Sequence, residues 1–279
     1  MSVSKKHPLR LGTIIIFIIA MVLALMWLFP LVWMVLSAFK PRGTQVGVLS
    51  QLLSPYFTID NFVFVLTTTR ILRWMFNSIF VTLSTVAGLL VITSMAAFAL
   101  SRIPFKYSGL VFMFIMIGLM VPIEATIIPL FLIMVDWGLT NSYQSLILPG
   151  LAVPLGVIIQ KAFIDGIPDE LMEAARIDGA GIFHIWLRIF VPLSRNAMVS
   201  YAIFAFVSSW NNFLWPFMSI TNIEMMTLPV GVATFQGAHL IDFTIPMAGA
   251  AVASAPMVIV FLLFQRQIIK GIALAGIKE

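Results

Sequence analysis

The chain has 279 residues, 61% hydrophobic and only 10% charged, a balance that a soluble domain of this size could not cover with polar surface. Its formal charge of +5 is carried by basic residues standing singly near the ends of apolar runs, which argues against nucleic acid as a partner and for a membrane protein oriented by its charges. No cysteine is present, so disulfides, thiolate nucleophiles and cysteine-ligated metals are excluded.

A membrane-spanning helix needs roughly 20 mostly apolar residues, and six segments qualify. In chain order they run from Leu11 to Phe39, Trp74 to Leu100, Leu110 to Val135, Leu146 to Phe163, Ala197 to Ile220 and Phe243 to Phe264. The first follows Lys5, Lys6 and Arg10 in the manner of a signal peptide, but it continues without a small-residue cleavage site and reads as a retained span. Pro30, Pro122, Pro129, Pro149, Pro154, Pro216 and Pro256 fall in or beside the spans and are places where a helix can kink or break. A cytoplasmic amino terminus leaves only Lys40, Arg42, Arg70 and Arg73 on the far side and every other basic residue on the near side, so both termini are expected to be cytoplasmic. The fold class is accordingly an all-α polytopic transmembrane bundle.

Two connections are long enough to hold structure of their own. The outer one, Lys40 to Arg73, contains Pro41, Gly43 and Pro55 and reads as loop with a short helix near Ile59 to Leu66. With the first span it forms an amino-terminal part, 1–73, preceding a core of 74–279 that ends in a cytoplasmic tail, 265–279. The cytoplasmic one, 165–196, alternates charged and apolar positions, being too long for a turn and too charged for a span. Within it Pro168 suits a first helical turn, and Asp169, Glu170 and Glu173 put negative charge at the positive end of the helix. Leu171, Ala174, Ala175 and Asp178 recur at helical spacing, Gly179-Ala180-Gly181 ends the helix, and a second amphipathic piece runs from Ile182 to Ile189. Carboxylates beside small alanines suit insertion into a protein cleft better than adsorption to an anionic leaflet, although Phe183, Trp186, Arg188 and Arg195 suit headgroup level.

Glu173-Ala174-Ala175, Asp178-Gly179-Ala180, Ile189 and Pro192-Leu193 resemble the EAA loop of ABC importer membrane subunits, whose short helix is the coupling helix. Ser101-Arg102-Ile103-Pro104-Phe105, the run Trp210-Asn211-Asn212-Phe213-Leu214-Trp215-Pro216, Thr227-Leu228-Pro229-Val230-Gly231 and Gln265-Arg266 extend the likeness to the second membrane subunit of maltose-type carbohydrate importers. The resemblance implies a permease subunit of a type I ABC importer in a bacterial or archaeal cytoplasmic membrane, working with a second membrane subunit, two cytoplasmic ATPases and an extracytoplasmic solute-binding protein. It also implies that Leu171, Glu173, Ala174, Ala175, Asp178 and Gly179 serve the ATPases: Glu173 pairing with a basic residue, the alanines allowing close approach, and Gly179 permitting the turn. The chain has no glycine-rich phosphate loop ending in Lys-Ser or Lys-Thr, so it is expected to be non-catalytic, with ATP and Mg held by the partners.

Glu124 lies at or inside the third span, where an unpaired carboxylate costs about 2.5 kcal/mol or more, and is a candidate for the translocation path or for the outer water interface. Trp210, Asn211, Asn212 and Trp215 bring together aromatic faces and amides of the kind that meet sugars, although tryptophan near a span end also serves as an interface anchor. His7, His184 and His239 lie in different connections without ligand spacing, which gives no metal site. The alternative function is an ion-driven secondary transporter, against which stand the near absence of charge within spans and the lack of an evident repeat between the two halves.

Overall fold

The computed structural model describes residues 11–238 and 242–276, and among them there is helix and no strand. His7 and His239, Lys5, Lys6 and Arg10 at the start, and Lys278 at the end fall outside the described residues. The chain divides into two compact units, Met1–Thr69 with Val232–Val252 and Arg70–Gly231 with Ala253–Glu279.

The first unit opens with α1, Leu11–Ala38, whose 28 residues carry one internal proline, Pro30. At about 1.5 Å per residue it is long enough to cross a ~30 Å hydrocarbon layer. From Gly12 to Val32 every residue is exposed, so nothing among the described residues covers that stretch of the helix. The connection beyond it is folded, with α2 at Leu49–Leu52 and α3 at Asp60–Thr68, two residues beyond the expected end. Lys40 is fully buried, and its ammonium is satisfied by the Ser54 carbonyl at 2.5 Å and by the Phe57 ring beneath it, 3.9 Å from the centroid. The Asn61 amide donates to the carbonyls of Ala38 and Lys40 at 3.0 and 2.7 Å, fastening α3 to the end of α1.

The second unit is built on α4, Ile71–Arg102, which packs against α8, Pro154–Ile164, and α12, Arg195–Trp210. Between α4 and α8 come α5, Ser108–Gly118, α6, Ile123–Asp136, and α7, Tyr143–Ile147. The segment 165–196 supplies α9, Glu170–Ile177, α10, Ile182–Ile185, a π-helical turn at Trp186–Phe190 and α11, Val191–Leu193. After α12 come α13, Leu214–Ser219, α14, Leu228–Ala238, and α15, Thr244–Gly276, the last two continuing from one unit into the other. Gly156 makes the α8–α12 approach possible: a Cβ there would lie 2.4 Å from the Tyr201 ring. Polar side chains join the helices too, with Gln160 Nε2 donating to Thr93 Oγ1 at 2.5 Å.

Three described helices are long and apolar enough to cross a membrane alone, and three bent pairs raise the number to six. The bends amend the expected spans. The stretch 110–135 turns by 100° between α5 and α6, where Gly118 gives way to Pro122, whose ring removes a donor and disfavours helix before it. The stretch 146–163 bends by 43° ahead of Pro154, the first residue of α8. The fifth expected span, 197–220, stops at Trp210; α12 pairs with the preceding helical run Ile182–Leu193 at 78°, and α13 begins afresh beyond Asn211 and Asn212. The sixth continues past Phe264 to Gly276 because the residues from Gln265 to Lys270 favour helix while leaving the apolar stretch.

Candidate functional site

The segment 165–196 does not lie loose on the bundle. Met172 and Ala175, three residues apart on α9, share one buried cluster with Ala97 and Phe98 of α4, Val157 and Ile164 of α8, and Ile185, Trp186 and Phe190 beyond. The opposite face of α9 is uncovered: Leu171, Glu173, Ala174, Ile177 and Asp178 are all exposed, and Ile177 shows 86% of its surface. The two alanines that the sequence reading grouped on one face thus part company, Ala174 outward and Ala175 inward.

Each end of α9 has its own device. At the start, the Asp169 carbonyl accepts from the amides of Met172 and Glu173 at 2.9 and 3.1 Å, while the Asp169 carboxylate pairs with Arg102. At the finish, the Gly179 amide donates to the Arg176 carbonyl at 3.0 Å and the Ala180 amide to the Ala175 carbonyl at 2.9 Å, the paired bonds of a Schellman stop. That motif requires a left-handed residue, and Gly179 has φ of +80° with open space where a Cβ would stand. Just ahead of α9, Asp165 accepts from the Lys161 ammonium at 2.8 and 3.0 Å. Burial pushes the Asp165 carboxyl up, but hydrogen bonding to Lys161 and Ser101 and the charges of Lys161 and Arg102 together outweigh it and hold the group below its ordinary value.

The helix has two faces: an inner one that shares a buried cluster with α4 and α8, and an outer one combining exposed aliphatic surface with Glu173 and Asp178. Among the described residues no group of three or more His, Asp or Glu side chains could hold a metal ion.

The remaining candidates lie elsewhere. Glu124 is exposed in the first turn of α6, just beyond the 100° bend. Trp210 is 4% exposed and its ring stacks on Phe206 at 5.8 Å, so its face is occupied within the chain. Trp215 is buried as well and donates to the Ser145 carbonyl at 2.7 Å. Asn211 and Asn212 are exposed where α12 ends, the Asn211 amide donating to the Val207 carbonyl at 2.9 Å. The structure therefore separates the tryptophans from the amides.

Arg102, Met172 and Ile177 were given no role by residue patterns alone. For Arg102 a signal existed, since it is the cation closing a long apolar helix two residues before a proline. Met172 and Ile177 differ only in which side of α9 they occupy, which requires knowing where the bundle lies.

The family model described as binding-protein-dependent transport system inner membrane component matches residues 88–274. The chain is similar to the arabinooligosaccharides transport system permease protein AraQ of Halalkalibacterium halodurans, 34% identical over 259 residues that cover 92% of this chain and 93% of that protein. It is 35% identical over 277 residues to the trehalose/maltose transport system permease protein MalG of Thermococcus litoralis, covering 96% of this chain and 98% of MalG. Among solved structures, a chain from a bacterial ABC transporter involved in the import of the acidic polysaccharide alginate has the same fold, with a TM-score of 0.81 at 23% identity over 95% of this chain and 99% of that one.

Proposed function

The chain belongs to the family of binding-protein-dependent transport system inner membrane components, and from that premise we propose that it is the permease subunit of an ATP-driven importer of a sugar or oligosaccharide. In this reading it forms the translocation path with a second membrane subunit, receives solute from an extracytoplasmic binding protein, and docks a pair of cytoplasmic ATPases through α9. The ATPases carry the nucleotide and Mg; this chain supplies the lever. Both termini lie on the cytoplasmic side. The sugar class is supported by the substrates in the names of AraQ and MalG.

The observation that carries the docking role is the two-faced construction of α9. A helix of eight residues has little stability of its own and persists because Met172 and Ala175 are packed into the bundle core. That anchoring leaves Leu171, Glu173, Ala174, Ile177 and Asp178 free for a partner. Closure of the ATPases displaces α9, and because its inner face is continuous with α4 and α8, the displacement passes into the spans. Glu124, Asn211 and Asn212, exposed in this chain, are the side chains through which it would meet the second subunit or the solute.

The test is recovery of the tagged chain in mild detergent from its host, followed by mass spectrometry of what remains bound in stoichiometric amount. A second polytopic subunit and an ATPase are expected, with the ATPase lost when Glu173→Lys and Gly179→Leu are combined. Recovery of the chain alone, active in uptake driven by an ion gradient, would overturn the reading.

A further inference from the structure

Arg102 ends α4, and its side chain is only 6% exposed. A guanidinium withdrawn from water costs several kcal/mol unless its donors are met, so such a position persists only with good partners. Its two terminal nitrogens find partners in one short stretch, while Nε is left without a hydrogen-bond partner. Arg102 donates to the Ile164 carbonyl at 2.6 Å, to the Ile167 carbonyl, and to the Asp169 carboxylate, while its guanidinium carbon stands 5.3 Å from the centre of the Phe190 ring.

The stretch it holds is the joint between α8 and α9. Ile164 is the last residue of α8, and its carbonyl, which accepts from the Ile167 amide at 3.0 Å, takes the guanidinium as a second donor, as helix-end carbonyls do with a basic side chain. Asp169 opens α9. One side chain thus grips the end of one helix, the turn, and the start of the next. The apolar packing of Ala97 and Phe98 against Met172 and Ala175 lies alongside, so the polar grip and the buried cluster restrain the same pieces.

The other end of α4 is built in the same manner. Trp74 Nε1 donates to the Ile223 carbonyl at 2.7 Å, and Asn77 Nδ2 to the carbonyls of Glu224 and Met226 at 2.8 and 2.9 Å. Arg70 pairs with the Glu224 carboxylate, and the Tyr143 hydroxyl donates to Asn77 Oδ1 at 2.7 Å. A helix of 32 residues, about 48 Å at 1.5 Å per residue, therefore holds a connecting segment fast at each end, the α8–α9 joint at one and the short 3-10 turn Ile223–Met225 at the other.

We propose that Arg102 is a positioning residue that makes α4 and the docking helix one rigid piece, so that motion of α9 reaches the segment Ile223–Met226 through α4 as a strut. This rests on the reading of α9 as the ATPase-docking helix. Lysine cannot substitute, because one ammonium on a flexible stem does not present the planar fork that reaches two carbonyls and a carboxylate at once.

The experiment uses the complete transporter, with its ATPases, second membrane subunit and binding protein, in lipid nanodiscs and proteoliposomes. Arg102→Gln and Arg102→Lys are expected to retain the ATPases in stoichiometric amount while the ATP hydrolysed per solute imported rises at least fivefold. Because the chain has no native cysteine, Met95→Cys on α4 and Arg176→Cys on α9, both exposed and neither among the docking residues, can carry spin labels in a complex whose other subunits are cysteine-free. Their distance is expected to be narrow and the same in nucleotide-free and ATP-trapped states, and broadened by Arg102→Gln. A shift of about one helical turn, ~5 Å, between the two states without the Arg102 change would overturn the strut. Normal coupling in Arg102→Gln would overturn the role of Arg102 while leaving docking intact, whereas ATPases that fail to accompany the unsubstituted chain would defeat the docking reading itself. If neither Arg102 variant inserts, the distance between the two states decides alone.

Discussion

Gly179 shows how much one residue can settle. Its φ of +80° lets the Gly179 and Ala180 amides turn back onto the Arg176 and Ala175 carbonyls, and so sends the chain sharply from α9 into α10. A Cβ there meets nothing, so the penalty for replacement is backbone strain, about 1 to 2 kcal/mol for an ordinary residue and less for asparagine. Gly179→Leu is therefore expected to insert normally yet transport poorly, with Gly179→Asn in between. Solute uptake alongside quantified membrane insertion checks this, and full transport by Gly179→Leu would remove the turn from the mechanism. Glycine-alanine-glycine after an amphipathic run made this stop legible in the sequence. The Asp165–Lys161 pair four residues apart was equally visible as spacing, whereas the Arg102–Asp169 pair, 67 positions apart, was not.

At the scale of an element, α9 has two faces that do different work, and substitution separates them. Met172 lies in the core shared with α4, α8 and the Trp186–Phe190 turn, so Met172→Ala is expected to cost about 2 to 5 kcal/mol and to lower the thermal midpoint of the detergent-solubilised chain. Leu171 is exposed one position away. Leu171→Ala should leave that midpoint within about 0.5 kcal/mol of stability, as surface changes do, while weakening retention of the ATPase. Equal loss of stability in both variants would contradict the division of faces. Helical periodicity alone supplied the stripe Leu171, Ala174, Ala175 and Asp178, but a stripe is fixed only to within about one residue, or 100° of rotation. The burial of Ala175 and exposure of Ala174 depend on where α4 and α8 stand.

At the scale of the molecule, much of the apolar surface is left uncovered, including α1 from Gly12 to Val32 and, around the bend ahead of α6, Met120 and Ile123. Apolar surroundings, such as the hydrocarbon of a bilayer, are what such surface requires. Inside the second unit, by contrast, polar side chains tie the spans together. Gln160 is fully buried, and its amide reaches the Thr93 hydroxyl at 2.5 Å. Thr93→Val should leave that amide unpaired and destabilise the chain, and adding Gln160→Leu should recover most of the loss. Thermal unfolding of the four forms is expected to give a coupling of about 0.6 to 1.7 kcal/mol, and additive effects would dismiss the bond as a helix tie.

The membrane environment, the six apolar stretches and the amphipathic helix between two of them were determined by composition and periodicity, which depend only on neighbours along the chain. The EAA residues were legible for the same reason, being contiguous. The tertiary structure alone decided where prolines break spans and where they merely sit in them: Pro30 and Pro129 stay inside helices, while Pro122 follows a 100° turn. It also decided that Trp210 is filled by Phe206 and Trp215 committed to the Ser145 carbonyl, and that the cation closing α4 fastens a helix joint more than sixty residues away. Those outcomes are set by which distant backbone groups need a partner and which cavity needs filling, and neither requirement exists until the helices have packed.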